Sequence, residues 1–534
     1  MKTSFSENSQ SPSPVCEVPR TKHRMAHSVL ANIATSGFLF LAGLLAARGL
    51  GPRDYGRFFF LLGSFESFRS LLDCGCQQAF FTFCSTKRRT RRFFSLYFFW
   101  LTLQTLIPLV VIGFLLPDRW IARLWVNESR GLILLAFLAY TFRQVLWNTI
   151  TIIGESYRKT LRVQWLTALW AMFYFAGLFV LWRFYLLNLI SVFLLIIFDY
   201  GAALLIGYVA VGKNYPFVED EGESVGKILS EYVSYCAPLV VLSLFSFLSV
   251  YLDRWLLQYF GGASQQGYFG IAFRLVSVSA LLMTAVTQIF WKELADAAGR
   301  NDNARLRIVF QRITRFLFSV SAVMSALFIP WARDILTLTV GAAYGSGTVA
   351  FTILLIYPIF QSLGRFSAIY FHATCKTKTL TVITILRSLI GIVLLYFLVA
   401  PPDNPLPGLG AGAVGLALKT VLLQILFVNL MLWYIHKQEG WRFEWKYELL
   451  IPAAACALSF ALRGFIDGLI PVSPLSLGFV VIPASALRIA LSALLFFPSA
   501  ASVFFLKPHW FGLTRGDLKQ LLSKISSLLR LNRV

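Results

Sequence analysis

Long apolar runs and short polar breaks alternate along the whole chain, and the runs have membrane-crossing length. About 20 apolar residues rising 1.5 Å each cross a hydrocarbon core of ~30 Å. The first run, Ser28 to Ala47, meets that length. Further runs follow at 57–82, 93–116, 132–153, 163–182, 186–211, 228–252, 267–290, 310–330, 347–371, 379–400, 411–435, 449–470 and 479–505. The pattern predicts an all-α polytopic membrane protein with 14 transmembrane helices.

A Gly- and Pro-punctuated stretch, Ala46 to Phe58 (AARGLGPRDYGRF), reverses the chain between the first two runs. It recurs in altered form as GGASQQGYFGIAFR, from Gly261 to Arg274, where Gly51 falls on Gly262, Gly56 on Gly267 and Phe58 on Phe269. Both copies lie between one apolar run and the next, which predicts two similar membrane halves. The expected layout is a basic cytosolic leader (1–27, disordered at its start), a six-helix half (28–211) and a polar linker (212–227). A second six-helix half (228–435), two additional spans within 436–506 and a basic tail (507–534) complete it. The tail gathers its leucines on one face, the pattern of an amphipathic helix lying on the inner leaflet, with an ordinary solvated tail as the alternative.

Composition agrees with the membrane reading. Hydrophobic residues make up 57% of the chain and charged residues 14%, too few for the surface of a soluble protein of this size. The net charge of +23 would suggest nucleic acid in a soluble protein. Here the cations gather in loops beside apolar runs, so no nucleic-acid partner is expected. With both termini inside, the inside segments, KRRTRR at 87–92 among them, hold about 31 of the 48 Lys and Arg. The outside loops hold about 9 and the spans about 8. An even number of spans per half makes the halves parallel repeats about an axis along the membrane normal. The seven cysteines show no metal-ligand spacing, and the stretch Gly222–Ile228 falls one residue short of a phosphate loop. No metal, cofactor or catalytic residue is expected, and any energy source would be an ion or substrate gradient.

Four stretches carry a resemblance. They are ARGLGPRDYGRF after the first span, LDRWLLQYFGGASQQGYFGIAFRL from Leu252, AYGSGTVAFTILLIYPIFQSLGRF from Ala343 and GAGAVGLALKTVLLQ from Gly410. The sequence resembles the polysaccharide flippases of the multidrug/oligosaccharidyl-lipid/polysaccharide exporter superfamily, departing from them at WKELADA after the eighth span. The resemblance implies two six-helix bundles in a V around a central cavity, with alternating access to the two sides. It implies export of a polyprenyl-diphosphate-linked oligosaccharide for surface polysaccharide biosynthesis at a bacterial cytoplasmic membrane. The expected partners are that lipid-linked oligosaccharide, membrane lipids, a polysaccharide polymerase and glycosyltransferases, and the expected state is a monomer.

Ionisable residues inside the membrane are costly unless they face a bundle interior or a wet cavity. Glu66, Arg69 and Asp73 form a polar stripe at i, i+3, i+7 in the second span, and Arg143 sits beside a second stripe, Gln144, Asn148, Thr151 and Glu155, in the fourth. Arg69 and Arg143, deepest in their spans, are the first expected ligands of the diphosphate, because a guanidinium is always charged and donates in parallel. Arg274, Arg365, Arg387 and Lys419 rank second, and Glu66, Asp73 and Asp253 are candidate ion-coupling groups. The competing reading pairs Arg69 with Glu66 and Asp73 as structural glue and lets the other cations snorkel. Two other functions stand beside the flippase: a cation-coupled drug or metabolite exporter and a membrane polysaccharide polymerase or ligase. The first needs a deep acidic site, whereas the buried charge here is mostly basic. The second needs a long outer catalytic loop, and no outer loop exceeds about 20 residues.

Overall fold

A computed structural model describes residues 18–212, 224–300, 302–441, 445–469, 475–477, 480–512 and 516, with the side chains of 18–25, 212, 279–292, 445, 475–477, 480–482 and 509–510 excepted. The described part of the first half runs through α1 (Val18–Asp73), α2 (Cys76–Thr86), α3 (Arg91–Val110), α4 (Asp118–Leu124), α5 (Arg130–Tyr140), α6 (Trp147–Ser156), α7 (Thr160–Arg183) and α8 (Leu189–Gly207). The second contains α9 (Val225–Leu256), α10 (Gly262–Gly299), α11 (Asn303–Phe328), α12 (Ala332–Val340), α13 (Thr348–Leu354), α14 (Tyr357–Ala373), α15 (Thr377–Val399) and α16 (Gly412–Glu439). After these come α17 (Trp445–Leu469) and α18 (Ala484–Leu506). Between α17 and α18 two three-residue strands, Leu475–Leu477 and Val480–Ile482, pair antiparallel, a small departure from the all-α expectation.

Eleven described helices are long and apolar enough to cross a membrane, or 12 if the bent pair α13–α14 counts as one. This is a multi-pass membrane protein. Two of the eleven, Ala26–Asp73 and Val225–Val278, run to 48 and 54 residues. Each carries one non-helical glycine, where the repeated stretch predicts the reversals: Gly51 has φ 73°, ψ 172° and Gly262 has φ 80°, ψ 174°. A side chain is strained at these angles, so glycine at both positions is a requirement of the backbone.

The same repeat also explains how the halves meet. A Cβ on Gly56 would collide with the carbonyl of Ala263, and a Cβ on Gly267 would collide with the carbonyl of Pro52. Pro52 and Ala263 are themselves 211 residues apart, so the contact is reciprocal, as in a two-fold dimer interface written into one chain. Tyr344 fastens the same end, its hydroxyl donating to the carbonyl of Ala47 at 2.8 Å.

A second seam runs the length of the molecule, where α1 and α2 lie antiparallel to α9. Phe68 packs on Phe247 and Tyr251 with ring centroids 5.3 and 5.1 Å apart. Further along, Cys76 Sγ lies 3.7 Å from Cys236 Sγ, and Arg89 pairs with Glu231 at 2.9 Å. Midway, the run expected to span 57–82 unbroken is interrupted. Cys74 and Gly75 take positive φ (46° and 86°), and the helix restarts at Cys76 with the Asp73 carboxylate accepting from the Gln77 amide. Leu239 of α9 fills the space over Gly75, and its neighbour Pro238 lacks the N–H that would close the helix ladder there.

Three further expectations need correcting. Residues 18–27 of the leader are helical and continue directly into the first span. The 347–371 run bends by 41° between α13 and α14, where Pro358 at the start of α14 cannot donate backward. The 132–153 run contains a π-helical segment, Thr141–Leu146, that joins α5 to α6. Most of the linker (213–223) and most of the tail (513–515 and 517–534) lie outside the described residues.

Candidate functional site

Where the two halves face one another, arginines from the second half reach into the first. Arg254, near the end of α9, occupies the space a Cβ on Gly63 would need, and its Nη2 lies 3.1 Å from Glu66 Oε2. The guanidinium also lies 5.1 Å from the Phe59 ring centre, and its side chain is 17% exposed. Arg274 on α10 does the same one helix over, filling the space against Gly43 and donating to the carbonyl of Leu39. Each arginine keeps one buried donor without an acceptor, Nη1 of Arg254 and Nε of Arg274. Glu66 is 60% exposed at mid-span, so the region it faces is open. Arg365 has no hydrogen-bond or ion-pair partner among the described residues. With Tyr357, Gln361, Ala368 and His372 it forms a stripe along α14 that is not buried and follows helical spacing.

The remaining candidates lie inside one half or the other. Arg69 donates to Gln77 Oε1 at 2.7 Å and lies 3.7 Å from Asp73, both partners being on its own strip of chain. It borders a 270 Å³ cavity within the first half, walled by Leu72, Ile112, Trp125 and Tyr140 with Gln104 at its edge. Arg143 sits between the rings of Tyr174 and Tyr200, 5.4 and 5.7 Å from their centres, and these tyrosines belong to α7 and α8 of the same half. In the second half Lys419 binds both oxygens of Asp253, at 2.7 and 2.6 Å, with the lysine side chain 6% exposed. Arg387 donates to Gln424 Oε1 at 2.9 Å, and Gln424 in turn donates to the carbonyl of Phe360. The candidates therefore fall into three groups: Glu66 with Arg274 where the halves meet, Arg69 with Asp73 in the first half, and Asp253 with Arg387 and Lys419 in the second, while Arg365 joins none of them. Arg143 stands apart from all three.

Sequence reasoning missed Arg254, which the 228–252 boundary assigned to an outer loop. The signal that finds it is depth. It lies eight residues before the reversal at Gly262, and at 1.5 Å per residue that is about 12 Å into the bilayer. Asp199 in α8 was also missed; its Oδ2 is buried without a hydrogen bond.

No protein-family model matches the chain, and no curated sequence matches it. Solved structures do. The fold is similar to that of the Lipid II flippase MurJ in an inward closed conformation, with TM-score 0.64, 16% identity, and 90% of this chain and 99% of that one covered. It is also similar to an inward-facing multidrug resistance MATE family transporter of the MOP superfamily (TM-score 0.52, 15% identity, 77% and 95% covered) and to a MATE in complex with MaD5 (0.50, 13%, 79% and 97%). At such identities the likeness speaks for the fold. The chain shares the overall fold of these solved membrane transporters.

Proposed function

We propose that the protein is an alternating-access flippase for a polyprenyl-diphosphate-linked oligosaccharide. The observation that carries this reading is the pair of arginines at the interface, each wedged against a glycine of the opposite half and each with a buried donor left unmatched. An unmatched charged donor costs about 1–3 kcal/mol, and the oxygens of a diphosphate are acceptors that relieve it. Arg365, on the half-buried stripe of α14, supplies a further cation for the same group. Arg69 and Arg143 act in this scheme from within the first half, supporting the helices that carry Glu66. Each long helix counts as two crossings, giving 14 in two six-helix bundles and an additional pair, with both termini cytosolic.

The drug-exporter reading needs a carboxylate open to an organic cation. Glu66, Asp73 and Asp253 each have a cation within 4 Å, on Arg254, Arg69 and Lys419 respectively. That favours an anionic cargo.

The test is transport of a fluorescent lipid-linked oligosaccharide in proteoliposomes, with substrate-induced thermal stabilisation measured on the same preparations. Arg254→Ala and Arg365→Ala each remove a charge-assisted contact of roughly 1.5–3 kcal/mol, about ten- to a hundredfold in affinity. Lysine at either position retains part of the activity by keeping the charge. Folded alanine variants that bind and flip the lipid like the parent would refute the proposal.

A further inference from the structure

Two thiols, one from each half, meet in a groove at the end of the molecule that carries KRRTRR. The groove has a volume of about 410 Å³ and is walled by Phe99, Trp100 and Leu103 of α3 and by Leu229 and Val233 of α9. Cys76 and Cys236 line it as well, with their Sγ atoms 3.7 Å apart. Phe99, Leu229 and Val233 are each about 60% exposed, on apolar helices that meet lipid in a membrane. Among the described residues the groove therefore opens toward the bilayer. Tyr232 also borders it, and its buried hydroxyl has no hydrogen-bond partner among the described residues.

This combination selects the chemistry. Two thiols in contact are a two-electron reductant, and they form a disulfide when the sulfurs close to about 2.05 Å. That is a movement of roughly 1.7 Å from the spacing seen here. Both backbones are interrupted at this level, by the positive φ of Cys74 and Gly75 and by Pro238. Cys236 is buried and Cys76 half-buried, which withholds them from oxidants dissolved in water. An oxidant that arrives through the groove must be neutral, apolar and soluble in lipid. A quinone has those properties. Its ring packs against Phe99 and Trp100, its carbonyl oxygen gives the Tyr232 hydroxyl the acceptor it lacks, and the volume suits a small molecule of that kind.

We infer that the groove admits a membrane quinone, which oxidises Cys76 and Cys236 to a disulfide that bridges the two halves. Two S–H bonds break and one S–S bond forms. The two electrons and two protons pass to the quinone, which leaves as the quinol. The bridge ties α2 to α9 on the same seam as the Arg89–Glu231 pair, and it holds this end shut until a dithiol reduces it. Formation of the bridge is independent of the transported cargo; only its effect on transport rests on the function proposed above.

The full-length protein in liposomes is treated with decylubiquinone, whose fully substituted ring a thiol does not alkylate. The linked Cys76–Cys236 peptide is quantified by mass spectrometry without reduction, and quinol is expected in equal amount. Oxidised glutathione, charged and water-soluble, reacts about tenfold more slowly or less. Val233→Trp fills the groove and slows the quinone reaction about tenfold, and Tyr232→Phe slows it about three- to tenfold through the lost hydrogen bond. Iodine, a smaller oxidant, still bridges both variants. Cys74, whose thiol donates to the Leu71 carbonyl at 2.9 Å, is not needed, so Cys74→Ser bridges like the parent. Bridging slows hydrogen exchange in α2 and stops transport of the lipid-linked oligosaccharide, and dithiothreitol restores both. Failure of the unbridged protein to move that lipid refutes the cargo alone, because the bridge is judged by its peptide and by hydrogen exchange. No linked peptide in the quinone-treated parent, the parent rate in folded Val233→Trp protein, or unchanged hydrogen exchange after bridging would overturn the inference.

Discussion

Lys419→Met isolates the energetics of the most deeply enclosed ion pair on α9 and α16. The lysine ammonium makes two short contacts, 2.7 and 2.6 Å, to the two oxygens of Asp253, and it is almost fully enclosed. Each charge-assisted hydrogen bond contributes about 1.5–3 kcal/mol, so the two together set an upper range of about 3–6 kcal/mol. Removing one partner of a buried pair costs about 3–5 kcal/mol, because the other charge is left without compensation. The single variant is therefore expected to be destabilised by about 4 kcal/mol. Asp253→Asn combined with Lys419→Met leaves no stranded charge and should recover most of that loss. Thermal unfolding in detergent, followed by tryptophan fluorescence over the four proteins of a double-mutant cycle, gives the coupling energy directly. A coupling below ~1 kcal/mol would show that the pair is not the stabilising unit its geometry indicates. The same four proteins in proteoliposomes test the ion-coupling role expected of Asp253. A double variant that transports with unaltered dependence on the ion gradient removes Asp253 from coupling.

Gly56→Leu and Gly267→Leu should be equally harmful, each driving a side chain into the backbone of the opposite half, at a cost of about 1–3 kcal/mol or more; widely unequal losses in thermal stability would contradict the reciprocal contact. Cys76 and Cys236 should lose reactivity toward a maleimide together when membranes are treated with a mild thiol oxidant, and Cys76→Ser should leave Cys236 reactive; independent labelling after oxidation would contradict their 3.7 Å spacing. Glu128→Gln should weaken the paired contacts that Arg57 makes at 2.8 and 2.7 Å, costing about 1–3 kcal/mol without abolishing insertion; an unchanged unfolding temperature would show that the pair contributes nothing. Lys87→Cys should react with an impermeant thiol reagent only from the cytosolic side, and labelling in intact cells would reverse the proposed orientation.

The reversals could be read from the sequence because backbone geometry is a local property. Glycine at 51 and 262 and close approach at 56 and 267 each leave a mark at a single position, and the offset of 211 residues aligns them. Side-chain direction within a span is harder to read, since it depends on helix rotation. Arg143 illustrates this. It lies in the π-helical segment Thr141–Leu146, whose wider turn shifts the 3.6-residue register, so a stripe drawn through Gln144, Asn148, Thr151 and Glu155 does not place its neighbour. Charge pairing across distant helices leaves no local trace either. Nothing around Lys419 announces Asp253, 166 residues earlier, and nothing around Glu66 announces Arg254. The break at Cys74 and Gly75 was also missed, because a single glycine in an apolar run is compatible with an unbroken span.

That break and Pro238 lie at the same depth on two helices that touch along their length, and this has a mechanical consequence. Bending stiffness in a helix comes from its uninterrupted ladder of hydrogen bonds, and here both neighbours lose a rung at one level. The seam is thus two short levers sharing a fulcrum rather than a pair of rigid rods. The lever carrying Arg89 and Glu231 can swing while the one carrying Gly56, Gly267 and the wedged arginines stays shut. Restoring the rung on one lever, by Pro238→Ala, would stiffen the fulcrum and oblige both ends to move as one.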